Sequence, residues 1–178
     1  LYYKKSLQTW KKEADDGDAK AALWAALVYE RKLVPDSSPE KSVPYLLQAA
    51  ESGNLTAQGL LAFKYRDGLG VPQDAAKAVE WFEKAASRKD LGAVMELGIM
   101  FRDGKYLPPD REKAFHWFEK GAEWKDPYSM AALADMLLEG TPSAEQAARA
   151  LALYREAAAV GYFPAALKAA ELLQNGKG

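Results

Sequence analysis

The chain has no cysteine and only one histidine among its 178 residues. Without cysteine there can be no disulfide bond and no thiolate metal site, and this composition is compatible with both the periplasm and the cytoplasm. No stretch approaches the roughly eighteen consecutive apolar residues that a transmembrane helix requires. The formal net charge is −1, which provides no general attraction to nucleic acid or to anionic lipid. We therefore expect no nucleic-acid partner and no membrane span.

Catalytic motifs are also lacking. The His-Glu-x-x-His, Gly-x-Ser-x-Gly and Walker spacings do not occur in the sequence, and catalysis needs a nucleophile, a base and a stabilising group that converge on one point. The single histidine, His116, is predicted to lie on the solvent side of a helix. We expect a protein that is not an enzyme and that binds no cofactor and no metal.

What the sequence does contain is an internal repeat of 36 residues. Residues 55–90 align with residues 91–126, and many of the aligned residues are identical or similar. The matched pairs include Ala57 and Ala93, Leu61 and Leu97, Tyr65 and Phe101, Gly68 and Gly104, Lys77 and Lys113, Trp81 and Trp117, and Phe82 and Phe118. Such a period is typical of solenoids, in which each unit is too small to bury its own apolar face and stacks on its neighbours.

The same phase extends to both ends of the chain. Tyr29 and Ala50 lie 36 residues before Tyr65 and Ala86, and Leu133 lies 36 residues after Leu97. A step of 36 residues from Gly140 reaches Gly176. The chain is therefore predicted to be a single solenoid domain, 1–178, with full repeats 19–54, 55–90, 91–126 and 127–162 between the half repeats 1–18 and 163–178.

Each full repeat is predicted to form two helices. In the second repeat, Ala57, Leu61 and Tyr65 recur at helical spacing on one face. Gly68 predicts the left-handed turn that ends this first helix. Trp81 and Phe82 then lie on the buried side of the second helix.

Polar residues are predicted to cap the second helices. Asp74, Asp110 and Ser38 stand at the N-cap position, where a side-chain oxygen accepts a hydrogen bond from a free backbone N–H group. Ser143, followed by Gln146, has the spacing of a capping box.

The repeated motif resembles the Sel-one-like repeat, a 36-residue relative of the tetratricopeptide repeat. The residues that carry the resemblance in the second repeat are Ala57, Leu61, Tyr65, Gly68, Gly70, Val71, Asp74, Lys77, Ala78, Trp81, Lys84, Ala85 and Ala86. The third repeat matches through Ala93, Leu97, Gly98, Phe101, Gly104, Asp110, Lys113, Ala114, Trp117, Lys120, Gly121 and Ala122. The resemblance implies an all-α fold, a right-handed α-solenoid of antiparallel helix pairs.

The first and fourth repeats depart from this pattern. Residues 32–35 replace the glycine-rich turn in the first repeat, and Pro44 falls inside its second helix, where a backbone hydrogen bond is lost and a kink is expected. In the fourth repeat Leu153 stands where the tryptophan is expected.

The resemblance also implies where a partner binds, because the first helices of tetratricopeptide-type repeats line the concave surface. The predicted contact residues occupy matching positions in the four repeats. They are Leu27, Glu30 and Arg31; Phe63, Arg66 and Asp67; Ile99, Arg102 and Asp103; and Asp135, Leu138 and Glu139. The apolar members, flanked by arginines that are expected to face outward, form a groove for an apolar side chain next to a carboxylate. The alternative is that Leu27, Phe63 and Ile99 pack between neighbouring helices and that the arginines pair with Asp67 and Asp103.

The function predicted from these features is that of an adaptor that binds a protein or peptide on its concave face. One alternative is a dedicated inhibitor, such as an immunity protein that neutralises a bacterial effector enzyme. Another is recognition of glycan or peptidoglycan fragments through Trp10, Trp24 or Trp124, although helix and turn packing also accounts for these three residues. The chain opens at Leu1 without an initiator methionine, which is compatible with removal of a signal peptide or lipid anchor. We expect the periplasm or cell envelope of a bacterium, with the cytoplasm as the alternative.

Overall fold

The computed structural model describes residues 2–174, with side chains from residue 6 onward. This part of the chain forms ten α-helices and no strand. The helices are α1 (Tyr2–Asp15), α2 (Ala19–Glu30), α3 (Pro39–Glu51), α4 (Leu55–Asp67), α5 (Ala75–Ala86), α6 (Leu91–Asp103), α7 (Arg111–Glu123), α8 (Pro127–Leu137), α9 (Ala144–Ala159) and α10 (Phe163–Gln174). The predicted all-α fold is confirmed. Gly176 lies outside the described residues.

The chain divides into two compact units, Leu1–Asp90 and Leu91–Gly178. The first unit contains α1 to α5 and the second contains α6 to α10. Within each unit, every helix packs against the next one along the chain. The four predicted repeats correspond to the pairs α2–α3, α4–α5, α6–α7 and α8–α9. The prediction that the whole chain is a single domain stays a prediction.

Aromatic and small side chains fill the space between paired helices. Trp81 and Phe82 are buried on α5, and Trp117 and Phe118 are buried at the matching positions of α7. In the fourth repeat the buried aromatic residue is Tyr154. The sequence pattern therefore located the core of the two central repeats correctly.

The predicted caps of the second helices are confirmed in three cases out of four. Asp74 accepts a hydrogen bond from the Lys77 N–H, and Asp110 accepts one from the Lys113 N–H, each at 3.0 Å. Ser143 and Gln146 form the predicted capping box.

Ser38 is the exception. It occupies the N-cap position of α3, but its side chain makes no capping hydrogen bond. A proline at the first helical position does not explain this difference, because Asp126 caps α8 although Pro127 follows it. Helix α3 continues through Pro44 to Glu51 without interruption.

Left-handed backbone conformations recur with the sequence period. After the first helix of each repeat, Gly68, Gly104 and Gly140 have φ values of 72°, 67° and 73°. Lys32 occupies the matching position of the first repeat and adopts φ 52° without being glycine. Tertiary packing thus imposes the same turn on the first repeat although its sequence departs from the motif, at a cost of about 1–2 kcal/mol for a residue with a Cβ atom.

Two glycines in the second unit permit close approach between helices. A Cβ atom on Gly98 of α6 would collide with the ring of Phe118 on α7, and one on Gly121 of α7 would collide with Ser129 on α8. Phe118 and Ser129 are both fully buried. Their side chains therefore occupy the space that a larger residue would need at positions 98 and 121.

Replacing Gly98 by alanine should destabilise the protein by about 1–3 kcal/mol, because the added methyl group overpacks the core against Phe118. Gly59→Ala in α4 is the matched control, since its Cβ atom would meet no atom within 4 Å. It should stabilise the protein by up to about 1 kcal/mol through helix propensity. Urea unfolding followed by circular dichroism measures both changes. Equal effects of the two variants would contradict the close-packing interpretation.

Candidate functional site

The predicted contact residues of the first unit lie near the carboxyl ends of α2 and α4. Leu27 and Glu30 belong to α2, and Arg31 is its C-cap residue. Phe63, Arg66 and Asp67 belong to the last two turns of α4. The structure gives these six residues different roles.

Glu30 forms an ion pair within the first unit and does not present its carboxylate to a partner. Its Oε1 lies 2.6 Å from Nζ of Lys64 on α4, and it accepts a hydrogen bond from the hydroxyl of Ser42 on α3. The Lys64 side chain is only 5% exposed. Its Nζ also donates to the Leu69 carbonyl oxygen at 3.1 Å. Glu30 therefore links three helices of the first unit.

Lys64 was missed by the sequence analysis, although the repeat phase contains a signal for it. The residues at the matching positions are Val28, Met100 and Met136, and all three are buried. A lysine at a position that is apolar in every other repeat predicts a buried charge with a nearby partner.

Phe63, Arg66 and Asp67 form a contact cluster on α4. The Phe63 ring packs edge-on against Phe82, with ring centroids 5.1 Å apart. The Arg66 guanidinium lies 4.7 Å from the Phe63 ring centroid and donates to both carboxylate oxygens of Asp67 at 2.9 and 2.8 Å. The Arg66 side chain is 17% exposed, so the expectation that it faces outward is wrong. Packing explains Phe63, and Asp67 balances the charge of Arg66.

Arg31 differs from the other arginines of the predicted set. It is exposed, and its guanidinium makes no hydrogen bond or ion pair with the described part of the chain. It borders a small cavity of about 160 Å³ that Trp10, Trp24, Leu27, Val28 and Leu33 also line. We call this feature the Arg31 cavity.

The walls of the Arg31 cavity are aromatic and apolar. The Trp10 and Trp24 rings stack with centroids 6.0 Å apart, which supports the helix-interface interpretation of these residues. Trp24 nevertheless remains 52% exposed, and Leu33 remains 40% exposed. The cavity therefore combines an unpaired cation with accessible apolar surface.

In the second unit, Ile99, Arg102 and Asp103 repeat the arrangement on α4 in a more open form. Ile99 is half-buried, and Arg102 Nε lies 2.6 Å from Asp103 Oδ1. The Arg102 guanidinium also lies 5.6 Å from the ring centroid of Phe118. The predicted alternative of an arginine–aspartate pair is therefore realised in both units.

Leu138 and Glu139 follow α8, and their surroundings differ. Leu138 is half-buried and is the C-cap residue of α8. Glu139 forms an exposed ion pair with Arg111 at 3.0 Å. Exposed ion pairs contribute little to stability, about 0–1 kcal/mol.

Asp135 is the centre of a polar cluster. Its carboxylate accepts hydrogen bonds from the Tyr154 hydroxyl on α9 and from the Lys168 ammonium group on α10. Burial raises the pKa of the Tyr154 hydroxyl well above its ordinary value, and the neighbouring Asp135 carboxylate raises it further. Tyr154 is thus a neutral donor throughout the physiological range.

The Asp135 cluster borders a cavity in the second unit. This cavity, of about 270 Å³, is lined by Asp135, Leu138, Pro142, Tyr154, Lys168, Glu171 and Leu172. Two of the predicted contact residues, Asp135 and Leu138, are therefore brought together. Sequence reasoning missed Tyr154, Lys168 and Glu171, because their relation to Asp135 depends on how α8, α9 and α10 pack.

The single histidine of the sequence lies at the protein surface. His116 is exposed, as predicted, and its ring contacts Trp117. Across residues 2–174 no cluster of three or more histidine, aspartate or glutamate side chains is arranged to hold a metal ion. Nor does any helix in this range combine the length and apolar character needed to cross a bilayer.

The repeat geometry agrees with a comparison against known families. The model of the Sel1 repeat matches residues 20–54, 56–90, 92–123 and 127–162. The chain belongs to the Sel1 repeat family. Members of this family generally act as non-enzymatic scaffolds for protein–protein interaction. A search of curated proteins finds no match.

Solved structures with the same fold come from several bacteria. A protective antigen present in uropathogenic Escherichia coli strains, which displays an SLR fold, is 28% identical with a TM-score of 0.79, and the alignment covers 96% of this chain but 36% of the antigen. A Sel1 repeat protein from Oxalobacter formigenes is also 28% identical, with a TM-score of 0.74 and coverage of 87% of this chain and 64% of that one. The chain thus spans less than two thirds of either relative.

A third similar structure supports the fold alone. It is a Sel1 repeat protein from Klebsiella pneumoniae that is 20% identical, with a TM-score of 0.55, and the alignment covers 96% of this chain and 85% of that protein.

The Glu30–Lys64 pair separates structural residues from candidate contact residues. Glu30→Gln should lower the free energy of unfolding by about 3 kcal/mol, because it leaves the Lys64 ammonium group buried without its carboxylate. Arg31→Gln, one residue away and exposed, should change it by less than about 0.5 kcal/mol. Chemical denaturation measures both, and the double variant Glu30→Gln with Lys64→Met should recover most of the loss. Similar stabilities of the two single variants would show that the ion pair is unimportant.

Proposed function

We propose that this chain is a binding module for a protein or peptide segment, and that the Arg31 cavity receives an apolar side chain of the partner next to a carboxylate. The observation that supports this proposal best is the unpaired guanidinium of Arg31 beside exposed Trp24 and Leu33. The family-level role in protein–protein interaction is consistent with it.

Among the three predicted arginines, Arg31 is the one whose charge is best placed to bind a partner carboxylate. Arg66 and Arg102 each pair with the aspartate that follows them, so a partner carboxylate would have to displace an existing one. Arg31 lacks such a competitor among residues 2–174, because the neighbouring Glu30 carboxylate pairs with Lys64. A partner carboxylate can therefore form two parallel hydrogen bonds to Arg31, the strongest arrangement available to these groups.

The size of the Arg31 cavity favours one side chain of a larger partner. Its volume of about 160 Å³ is below the 300–1,000 Å³ typical of sites for small molecules. Tryptophan and arginine are also the residue types that contribute most to binding energy at protein interfaces. An anchor residue such as leucine or phenylalanine, followed by an acidic residue or a chain terminus, fits both the apolar wall and the cation.

An adaptor and a dedicated inhibitor would use the same surface. They differ in the number of partners, because an inhibitor of one effector enzyme forms a one-to-one complex and abolishes its activity. Recognition of a glycan is a separate possibility that the 52% exposure of Trp24 favours, since an exposed indole ring can stack on a sugar. A neutral sugar would make no use of the Arg31 charge.

The charge of Arg31 provides the test. Short synthetic peptides that place leucine or phenylalanine beside a carboxylate should quench or shift the tryptophan fluorescence of the wild-type chain. Arg31→Glu should weaken this binding by at least about tenfold, since hydrogen bonds between charged groups contribute about 1.5–3 kcal/mol. Arg155→Glu changes the net charge equally at an exposed residue of the second unit and should leave the affinity unchanged.

Further outcomes would count against the proposal. Equal losses in Arg31→Glu and Arg155→Glu would indicate a long-range effect of net charge. Unchanged binding in Trp24→Ala would exclude the Arg31 cavity. Fluorescence changes with soluble chitooligosaccharides that are equal in the wild type and in Arg31→Glu would favour the glycan alternative.

A further inference from the structure

The cavity beside Asp135 has chemistry opposite to that of the Arg31 cavity. We call it the Asp135 pocket, and it lies within the second unit between α8, α9 and α10. Carboxylates outnumber cations on its walls, since Asp135 and Glu171 face one ammonium group, that of Lys168. Leu138, Pro142 and Leu172 provide apolar surface beside these charges.

Packing alone does not require this polar cluster. Phe63 and Phe82 occupy the positions of Asp135 and Tyr154 in the second repeat, and their rings pack edge-to-face with centroids 5.1 Å apart. In the third repeat the same positions hold Ile99 and Phe118. The fourth repeat therefore replaces an apolar contact by a hydroxyl and a carboxylate, a change that costs free energy unless each polar group finds a partner.

The acidic character continues into the next helix. Glu171 lies 36 residues after Asp135 and thus occupies the same repeat position on α10. Its carboxylate makes no hydrogen bond or ion pair with residues 6–174, whose side chains the structure describes, whereas Asp135 binds Tyr154 and Lys168. Asp135 therefore has hydrogen-bond partners within the chain, whereas the Glu171 carboxylate can accept hydrogen bonds from a ligand.

We propose that the Asp135 pocket binds a single basic side chain, lysine or arginine, from a protein partner. The cationic group lies between Glu171 and Asp135, and its methylene stem lies along Leu138 and Leu172. A volume of about 270 Å³ is again smaller than most small-molecule sites and accommodates one long side chain. The proposal does not rest on the Arg31 cavity, which is in the other unit and attracts the opposite charge.

The ion pair between Lys168 and Asp135 predicts how a change at Lys168 affects the binding of a cation. Its ammonium group already contacts both oxygens of Asp135, with Nζ 2.7 Å from Oδ2, and its side chain is 43% exposed. It therefore competes with an incoming cation for the same carboxylate. Removing the charge of Lys168 strengthens binding of a basic ligand, whereas a purely structural ion pair would produce only a change in stability.

The test uses the full chain and a pair of small probes. N-acetyl-arginine methylamide is titrated into the protein by NMR or calorimetry, and N-acetyl-citrulline methylamide serves as the neutral probe of nearly the same shape. The arginine probe should bind at least about tenfold more tightly than the citrulline probe, the ratio that one charge-assisted hydrogen bond contributes. Chemical shift changes should centre on residues of the Asp135 pocket.

Three variants complete the experiment. Glu171→Gln should lower the affinity for the arginine probe by about tenfold, and Lys168→Met should raise this affinity severalfold. Glu123→Gln, at an exposed carboxylate of the same unit, is the matched control and should have no effect. Lys168→Gln replaces Lys168→Met if the latter lowers the melting temperature strongly.

Specific results would overturn the inference. Equal binding of the two probes, or an unchanged affinity in Glu171→Gln, would show that the pocket does not select a cation. Loss of binding of the arginine probe in both Lys168 variants, with the fold intact, would show that Lys168 supports the pocket and does not compete with the incoming cation. Arg31→Glu should leave the binding of the arginine probe unchanged. The proposal for the Asp135 pocket and the proposal for the Arg31 cavity can therefore be rejected independently of each other.

Discussion

The packing of small residues against large ones between adjacent helices is the constraint on which the structure depends. Phe118 lies against Gly98, and Ser129 lies against Gly121, at distances that exclude any Cβ atom at the glycines. A pair of helices has too little apolar surface to be stable alone, so each pair must bury its remaining face against a neighbour. This requirement explains why the same residue types recur every 36 residues. Left-handed backbone conformations recur with the same period, even at Lys32, Lys89 and Lys125, which are not glycine.

Both proposed binding sites lie where a repeat departs from that pattern. Lys64 replaces a buried apolar residue and is stabilised by Glu30, which removes Glu30 from the predicted contact surface. The charge of Arg31 has no partner among the residues that the structure describes. In the fourth repeat, Asp135 and Tyr154 replace an apolar pair and create a polar pocket. The two candidate sites therefore follow from two kinds of substitution in one framework, one that buries a cation and one that introduces an anion.

Several features were predictable because they depend on local chemistry. Asp74, Asp110 and Ser143 were identified as helix caps from their position before an apolar run, and Trp81 and Trp117 were identified as core residues from their repeat phase. Ser38 was also predicted to be a cap, and that prediction was wrong because its side chain makes no capping hydrogen bond. The partners of the contact residues were predicted less well. A sequence pattern gives the helix face of Arg66, but not that its guanidinium would lie over Phe63 and pair with Asp67.

The sequence by itself determined the helix pairs, their boundaries, the family and the stripe of residues in which binding positions are predicted. It did so because helical periodicity, capping and turn formation involve residues close together in the chain. Only the tertiary structure decided which charges in that stripe remain available. Ion pairs such as Glu30 with Lys64 and Asp135 with Lys168 join residues more than thirty positions apart, and side-chain packing across three helices sets their distances.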